Sequence, residues 1–170
     1  MQIEGHLGPY QFAGAPVQGT NEVQTLTIGG TPTGGTFKLA FDGHTSSAIA
    51  WSATNATLLA NIQAALDAMP NVGANGIVAA AGTLTNGIGT ITLTFGANLA
   101  NLAVPTISVA NNSLTGTAPT LAVAETTPGV AATMRGAGKG ALLIDTTNAK
   151  LYINTGTGLD PTWTVVGTQT

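Results

Sequence analysis

Thr36-Phe37-Lys38-Leu39-Ala40-Phe41-Asp42-Gly43 is the stretch from which the rest of the chain can be read. Phe37, Leu39 and Phe41 alternate with Lys38 and Ala40, and a period of two puts the three large residues on one face of a β-strand. Asp42-Gly43 follows as a two-residue hairpin signal, because both positions of the tightest hairpin turn need positive φ. The segment Thr45 to Trp51 then reads as the returning strand, with Ile49 and Trp51 in phase. A sheet with one apolar face is expected, and that face needs a cover.

The next segment supplies one. Leu58, Ile62, Ala65, Leu66 and Met69 recur at i, i+4, i+7, i+8 and i+11, a single apolar stripe on a helix from about 54 to 69. Thr54 or Ser52 can cap its start. Pro70 ends it, lacking a donor N–H and disfavouring helix at the residue before it. One stripe on one helix packs across one sheet face.

Strand patterns continue on both sides. From Val23, Leu26 and Ile28 alternate with threonines, and Gly29-Gly30 with Gly34-Gly35 reads as bracketing a turn. Downstream, strands are expected over Gly76 to Leu84, Thr90 to Phe95, Pro105 to Val109 and Thr120 to Val123, with turns at Asn86-Gly87 and Asn111-Asn112. Residues 126–140, rich in Gly and small side chains, read as a linker. Residues 141–170 read as a C-terminal β-hairpin unit. In it Leu142 and Ile144 lead into Asp145-Thr146-Thr147-Asn148, and Leu151 and Ile153 lead out toward Trp163 and Val165. Residues 1–21, broken by Gly5, Gly8, Pro9, Gly14, Pro16 and Gly19, read as an extended arm. The expected fold is α+β and mostly β: an antiparallel sheet or sandwich over 22–125 with one packed helix, followed by linker and hairpin unit.

Only 6% of the 170 residues are charged, against about 25% in ordinary soluble domains. Such a surface is covered by hydroxyls and amides, associates readily, and makes contacts that salt hardly screens. The four basic residues, Lys38, Arg135, Lys139 and Lys150, form no stripe to neutralise phosphates, so nucleic acid is not an expected partner. No apolar run reaches the ~18 residues of a membrane span. The N-terminus has neither the positive nor the apolar segment of a secretory signal, so synthesis in a cytoplasm and no membrane partner are expected.

Catalytic and cofactor chemistry find little to stand on. His6 and His44 are far apart, and Asp42-Gly43-His44 falls where a hairpin turns. The seven acidic residues show no metal-ligand cluster. Asp145 with Asn148 has the look of an Asx-turn rather than a calcium site. No nucleophile elbow, triad or phosphate loop is present. Expected catalytic residues, metals and cofactors are none. A depolymerase would need carboxylates converging in a groove.

Two stretches resemble known proteins. Thr36 to Gly43, with Ala48-Ile49-Ala50-Trp51, the helix end Ala64-Ala65-Leu66 and Val72-Gly73, resembles a module of phage structural proteins and large bacterial surface proteins. Gly140-Ala-Leu-Leu-Ile-Asp-Thr-Thr-Asn148, Lys150-Leu-Tyr-Ile-Asn154 and Pro161-Thr-Trp163 resemble the end of bacteriophage head-fibre, capsid-decoration and tail-fibre proteins. The resemblance implies a virion structural protein, commonly a homotrimer, with no catalytic residues to carry over. The expected function is capsid decoration on the exterior of the virion, with the major capsid protein and further copies of the chain as partners. The alternative is a fibre-tip or receptor-binding protein recognising a host-surface glycan. Leu7, Tyr10, Phe12 and Val17 in the arm are the expected capsid contacts. Tyr152 and Trp163 are the expected oligomer interface.

Overall fold

The computed structural model describes residues 9–169. In chain order its elements are β1 (Tyr10–Phe12), β2 (Val23–Phe41), β3 (His44–Thr45), β4 (Ile49–Ala50), α1 (Asn55–Asp67), β5 (Ile77–Ala81), β6 (Gly89–Phe95), a 3-10 turn at Ala97–Leu99, β7 (Ser108–Thr127), β8 (Leu142–Asp145), β9 (Lys150–Asn154) and β10 (Trp163–Val165). The protein is α+β and mostly β, with one α-helix among the described residues. The chain divides into two compact units, one of residues 21–129 and one joining the chain before 21 to the chain from 130 onward.

In the larger unit β2 is the spine. It pairs with β7 along nearly its whole length. Its other side takes β6 along Val23–Ile28, then β4 and β3 along Thr36–Phe41. The Asp42-Gly43 turn has φ of 44° and 77°, as the hairpin signal requires. The returning strand is broken into β3 and β4, and Ser46 bridges the gap: its amide donates to Leu39 O at 2.8 Å and its Oγ accepts the Leu39 amide.

The turns expected at Gly29–Gly35 and Asn111-Asn112 are not hairpins. Both strands run through them. Buried residues of β2 are even-numbered at Gln24, Leu26 and Ile28 but odd-numbered at Phe37, Leu39 and Phe41. A regular strand would turn one of those sets outward. Register shifts between Gly29 and Thr31 and between Pro32 and Gly34 absorb the change of parity. The ribbon also bends there. Asn112 Nδ2 donates to Pro119 O at 3.2 Å, seven residues on, where a straight strand would place them about 23 Å apart. Gly30 and Gly35 have φ of 73° and 89°, and a Cβ on either would lie 2.1 Å from Ala118 O or 2.3 Å from Ser113 O. The paired glycines thus mark a bend of two strands together.

The helix covers the sheet with Leu58, Ile62, Ala65 and Leu66 of the expected stripe, buried in one core with Leu26, Phe37, Leu39, Leu93 and Phe95. It ends at Asp67, short of the expected 69, and Met69 is buried from the turn that follows. Thr54 is its N-cap residue, without a side-chain cap bond. Asn55 instead ties the helix to the Asn86-Gly87 turn, donating to Leu84 O at 2.8 Å and accepting the Gly87 amide at 2.9 Å. Trp51 Nε1 closes the same turn on Gly87 O at 2.9 Å. Buried Glu22 and Gln24 hold the chain that leads into β7. Glu22 accepts the Val104 amide at 3.0 Å, and Gln24 accepts the Ile107 amide at 2.8 Å while donating to Glu22 and to Pro105 O.

The smaller unit revises the expected domain map. Its sheet runs β1-β8-β9-β10, with β1 parallel to β8 and the other pairs antiparallel. Tyr10–Phe12, read from sequence as part of a detached arm, is therefore a strand of this sheet. Residues 130–140, read as linker, belong to it too: Ala132, Thr133 and Ala137 are buried, and Thr133 O accepts from Trp163 Nε1 at 2.9 Å. The signal was missed because a three-residue strand has no measurable period, and its partner lies more than 130 residues away. Leu143, Tyr152, Trp163 and Ala137 form the core, with Tyr10 and Phe12 packed on it.

Candidate interaction surface

Among the described residues no three His, Cys, Asp or Glu side chains gather as metal ligands. A cavity of about 260 Å³ beside β4 and α1 is lined by Ser47, Ala48, Ala50, Asn61, Ala64 and Ala65, none of them ionisable. His44 sits at the hairpin, its Nδ1 3.1 Å from Asp42 O; His6 lies outside the described residues. Asp145 is fully buried, with Oδ1 accepting the amides of Gly14, Thr147 and Asn148 and Oδ2 accepting Asn148 Nδ2 at 2.7 Å. Burial is the largest single influence and pushes this carboxyl up. The bonds from Asn148, Thr147 and Gly14 together outweigh it and hold the carboxyl below its ordinary 3.8. Asp145 thus organises the loop as an Asx-turn.

What the larger unit offers a partner is backbone. A sheet edge exposes unpaired N–H and C=O groups, and proteins blunt such edges by covering, shortening or charging them. The β5 edge is covered: Gln63 on α1 donates to Ile77 O and accepts the Ala79 amide, both at 2.9 Å. β3 and β4 are two residues each. β7 is different. It has 20 residues, pairs among the described residues only with β2, and carries a single charged side chain, Glu125. Its stretch Thr120–Glu125 stays in unbroken register with β2 and shows Ala122 and Ala124 to solvent.

The expected contact residues fall otherwise. Tyr10 and Phe12 are half-buried on the core of the smaller unit, Val17 is exposed, and Leu7 lies outside the described residues. Tyr152 and Trp163, expected at an oligomer interface, are buried inside that same core, 9% and 5% exposed, and so present little surface of their own. A unit this small needs its largest aromatics for its own interior. Among the described residues, the large hydrophobic side chains left exposed are Val78 in the larger unit and Val17, Val130, Leu142, Leu159, Val165 and Val166 in the smaller. Sequence did carry a signal for Leu142 and its neighbours on β8 and β9. Leu142-Leu143-Ile144 and Leu151-Tyr152-Ile153 are apolar at consecutive positions, so each strand has two faces that need covering.

Comparison with known protein families and with curated proteins finds no match.

Proposed function

We propose that this chain is a non-enzymatic bacteriophage capsid-decoration protein, bound as a homotrimer to the exterior of the head through contacts with the major capsid protein. The observation that carries the reading is the open, nearly uncharged edge of β7. An extended capsid segment can add to it as a further strand, gaining main-chain hydrogen bonds whatever its sequence. The low charge of the whole chain supports the same reading, since a protein made for permanent burial in an assembly does not need ionic groups for solubility. The resemblance of the C-terminal stretch to decoration and head-fibre proteins supplies the virion context. A glycan-recognising fibre tip has less support. Sugars favour exposed aromatic platforms, whereas Trp163 is buried and Trp51 is half-buried on the Asn86-Gly87 turn.

The test adds the full chain back to heads assembled without it. The wild type is expected to bind in many copies per head and to stay bound in about 1 M salt, where the Debye length is roughly 3 Å. The double variant Ala122→Lys, Ala124→Lys puts like charges on the open edge and is expected to stay folded but to bind far more weakly. Failure of the wild type to bind heads, or its recovery only at fibre tips, overturns the reading. Full binding by the folded double variant moves the contact away from β7.

A further inference from the structure

We infer that the outer face of the β8-β9-β10 sheet is a self-association surface, gathered about a shared symmetry axis against the same face of the other copies of this chain. The inference rests on the self-association included in the proposed function, and it replaces Tyr152 and Trp163 as the interface.

The register defines the face. Leu143 pairs with Tyr152 and Asp145 with Lys150, so these four side chains share the inner face with the core. The alternate positions point the other way. Ile144 pairs with Leu151, and Leu142 pairs with Ile153, which pairs in turn with Thr164. Val166 continues the first row, its amide donating to Leu151 O at 2.9 Å. Five of these six neighbouring positions are aliphatic. Leu142 and Val166 are 39% and 38% exposed, Ile144, Leu151 and Ile153 are half-buried, and none belongs to the core of the unit. Gln11, opposite Ile144, and Thr164 give the patch a polar rim. An apolar centre inside a hydrogen-bonding rim is the anatomy of a protein interface.

Charge selects the occupant. Identical faces bring identical charges together, so a homotypic contact must be neutral or self-complementary, whereas a contact with a different protein is free of that constraint. The charged residues of these strands, Asp145 and Lys150, are both on the opposite face, and the outer one has none although the chain carries a net −3. The unit also needs the cover. The hydrophobic cluster of Ala137, Leu143, Tyr152 and Trp163 is a small core for a unit of about 60 residues, and the chain has no cysteine to staple it.

The absence of cysteine makes the test clean. Leu151→Cys and Val166→Cys, each in the full chain, are oxidised at micromolar concentration beside Thr147→Cys at the exposed loop. The two face variants are expected to form disulfide-linked dimers at least about 10-fold faster than the loop variant, because association raises the local thiol concentration toward millimolar. In light scattering the wild type is expected at a multiple of the monomer mass and Leu151→Asp at the monomer mass, with α1 and the larger sheet intact by circular dichroism. Equal cross-linking at loop and face, or a monomeric wild type, overturns the inference. Should Leu151→Asp unfold the unit, the cysteine rates decide alone. A chain that associates through this face yet fails to bind heads sinks the proposed function and leaves this inference standing.

Discussion

Gln63 and Ala79 are joined as two strands would be: Gln63 Oε1 accepts the Ala79 amide at 2.9 Å, while Gln63 Nε2 donates to Ile77 O at the same distance. A helix side chain thus stands in for a missing strand at the β5 edge, with Asp67 Oδ1 accepting from the same Nε2 at 2.8 Å. That contact is what makes the two long edges of this sheet unlike each other.

Gln63→Ala is expected to leave those two backbone groups without protein partners and to cost about 1–3 kcal/mol, the range for stranding hydrogen-bonding groups at a partly buried site. Thermal melting reads the loss. Hydrogen exchange at the Ala79 amide is expected to accelerate more than at Leu93 in the middle of the sheet. Unchanged protection at Ala79 would show that the edge needs no cover.

The bend in the β2-β7 ribbon predicts an inequality between glycines. Gly43 and Gly35 both have positive φ, 77° and 89°, so alanine at either pays the left-handed penalty of about 1–2 kcal/mol. A Cβ at Gly43 meets nothing within 4 Å, whereas at Gly35 it collides with the backbone of Ser113 and Leu114. Gly35→Ala is therefore expected to lower the denaturation midpoint clearly more than Gly43→Ala. Equal midpoints would mean that the ribbon relaxes at no cost.

Asp145 makes the smaller unit acid-sensitive. Its folded carboxyl titrates below 3.8, the value it returns to when the unit unfolds, so the unfolded state binds the proton more readily. The stabilisation is fully present above that value and is lost as the pH falls through the folded one. Asp145→Asn is expected to lower the melting temperature of this unit at pH 7 and to narrow the gap from wild type toward pH 3. A gap independent of pH would assign the loss to loop geometry instead of charge.

Much of this protein was legible without a structure. The alternation of Phe37, Leu39 and Phe41, the Asp42-Gly43 turn and the stripe from Leu58 to Met69 are local signals. Each is set by neighbours within a dozen residues, and each formed as expected. The meaning of Gly29–Gly35 was not legible. A glycine pair permits a hairpin, a bulge or a bend alike, and only pairing with Ser113–Thr120 selects the bend. The place of Tyr10–Phe12 could not be read either, because its partner is β8 and no local period joins them.

The candidate surfaces divide the same way. Composition determined that the surface would be poor in charge, and the consecutive apolar residues of β8 and β9 determined that each strand would carry aliphatic side chains on both faces. Tertiary structure decided which face each side chain takes, drawing Tyr152 and Trp163 into the core and leaving Leu142 and Val166 outside. It also decided that Gln63 closes one sheet edge while β7 stays open. Pattern along a chain fixes which residues must be buried; only the folded arrangement fixes against what, since that depends on pairings between segments far apart in sequence.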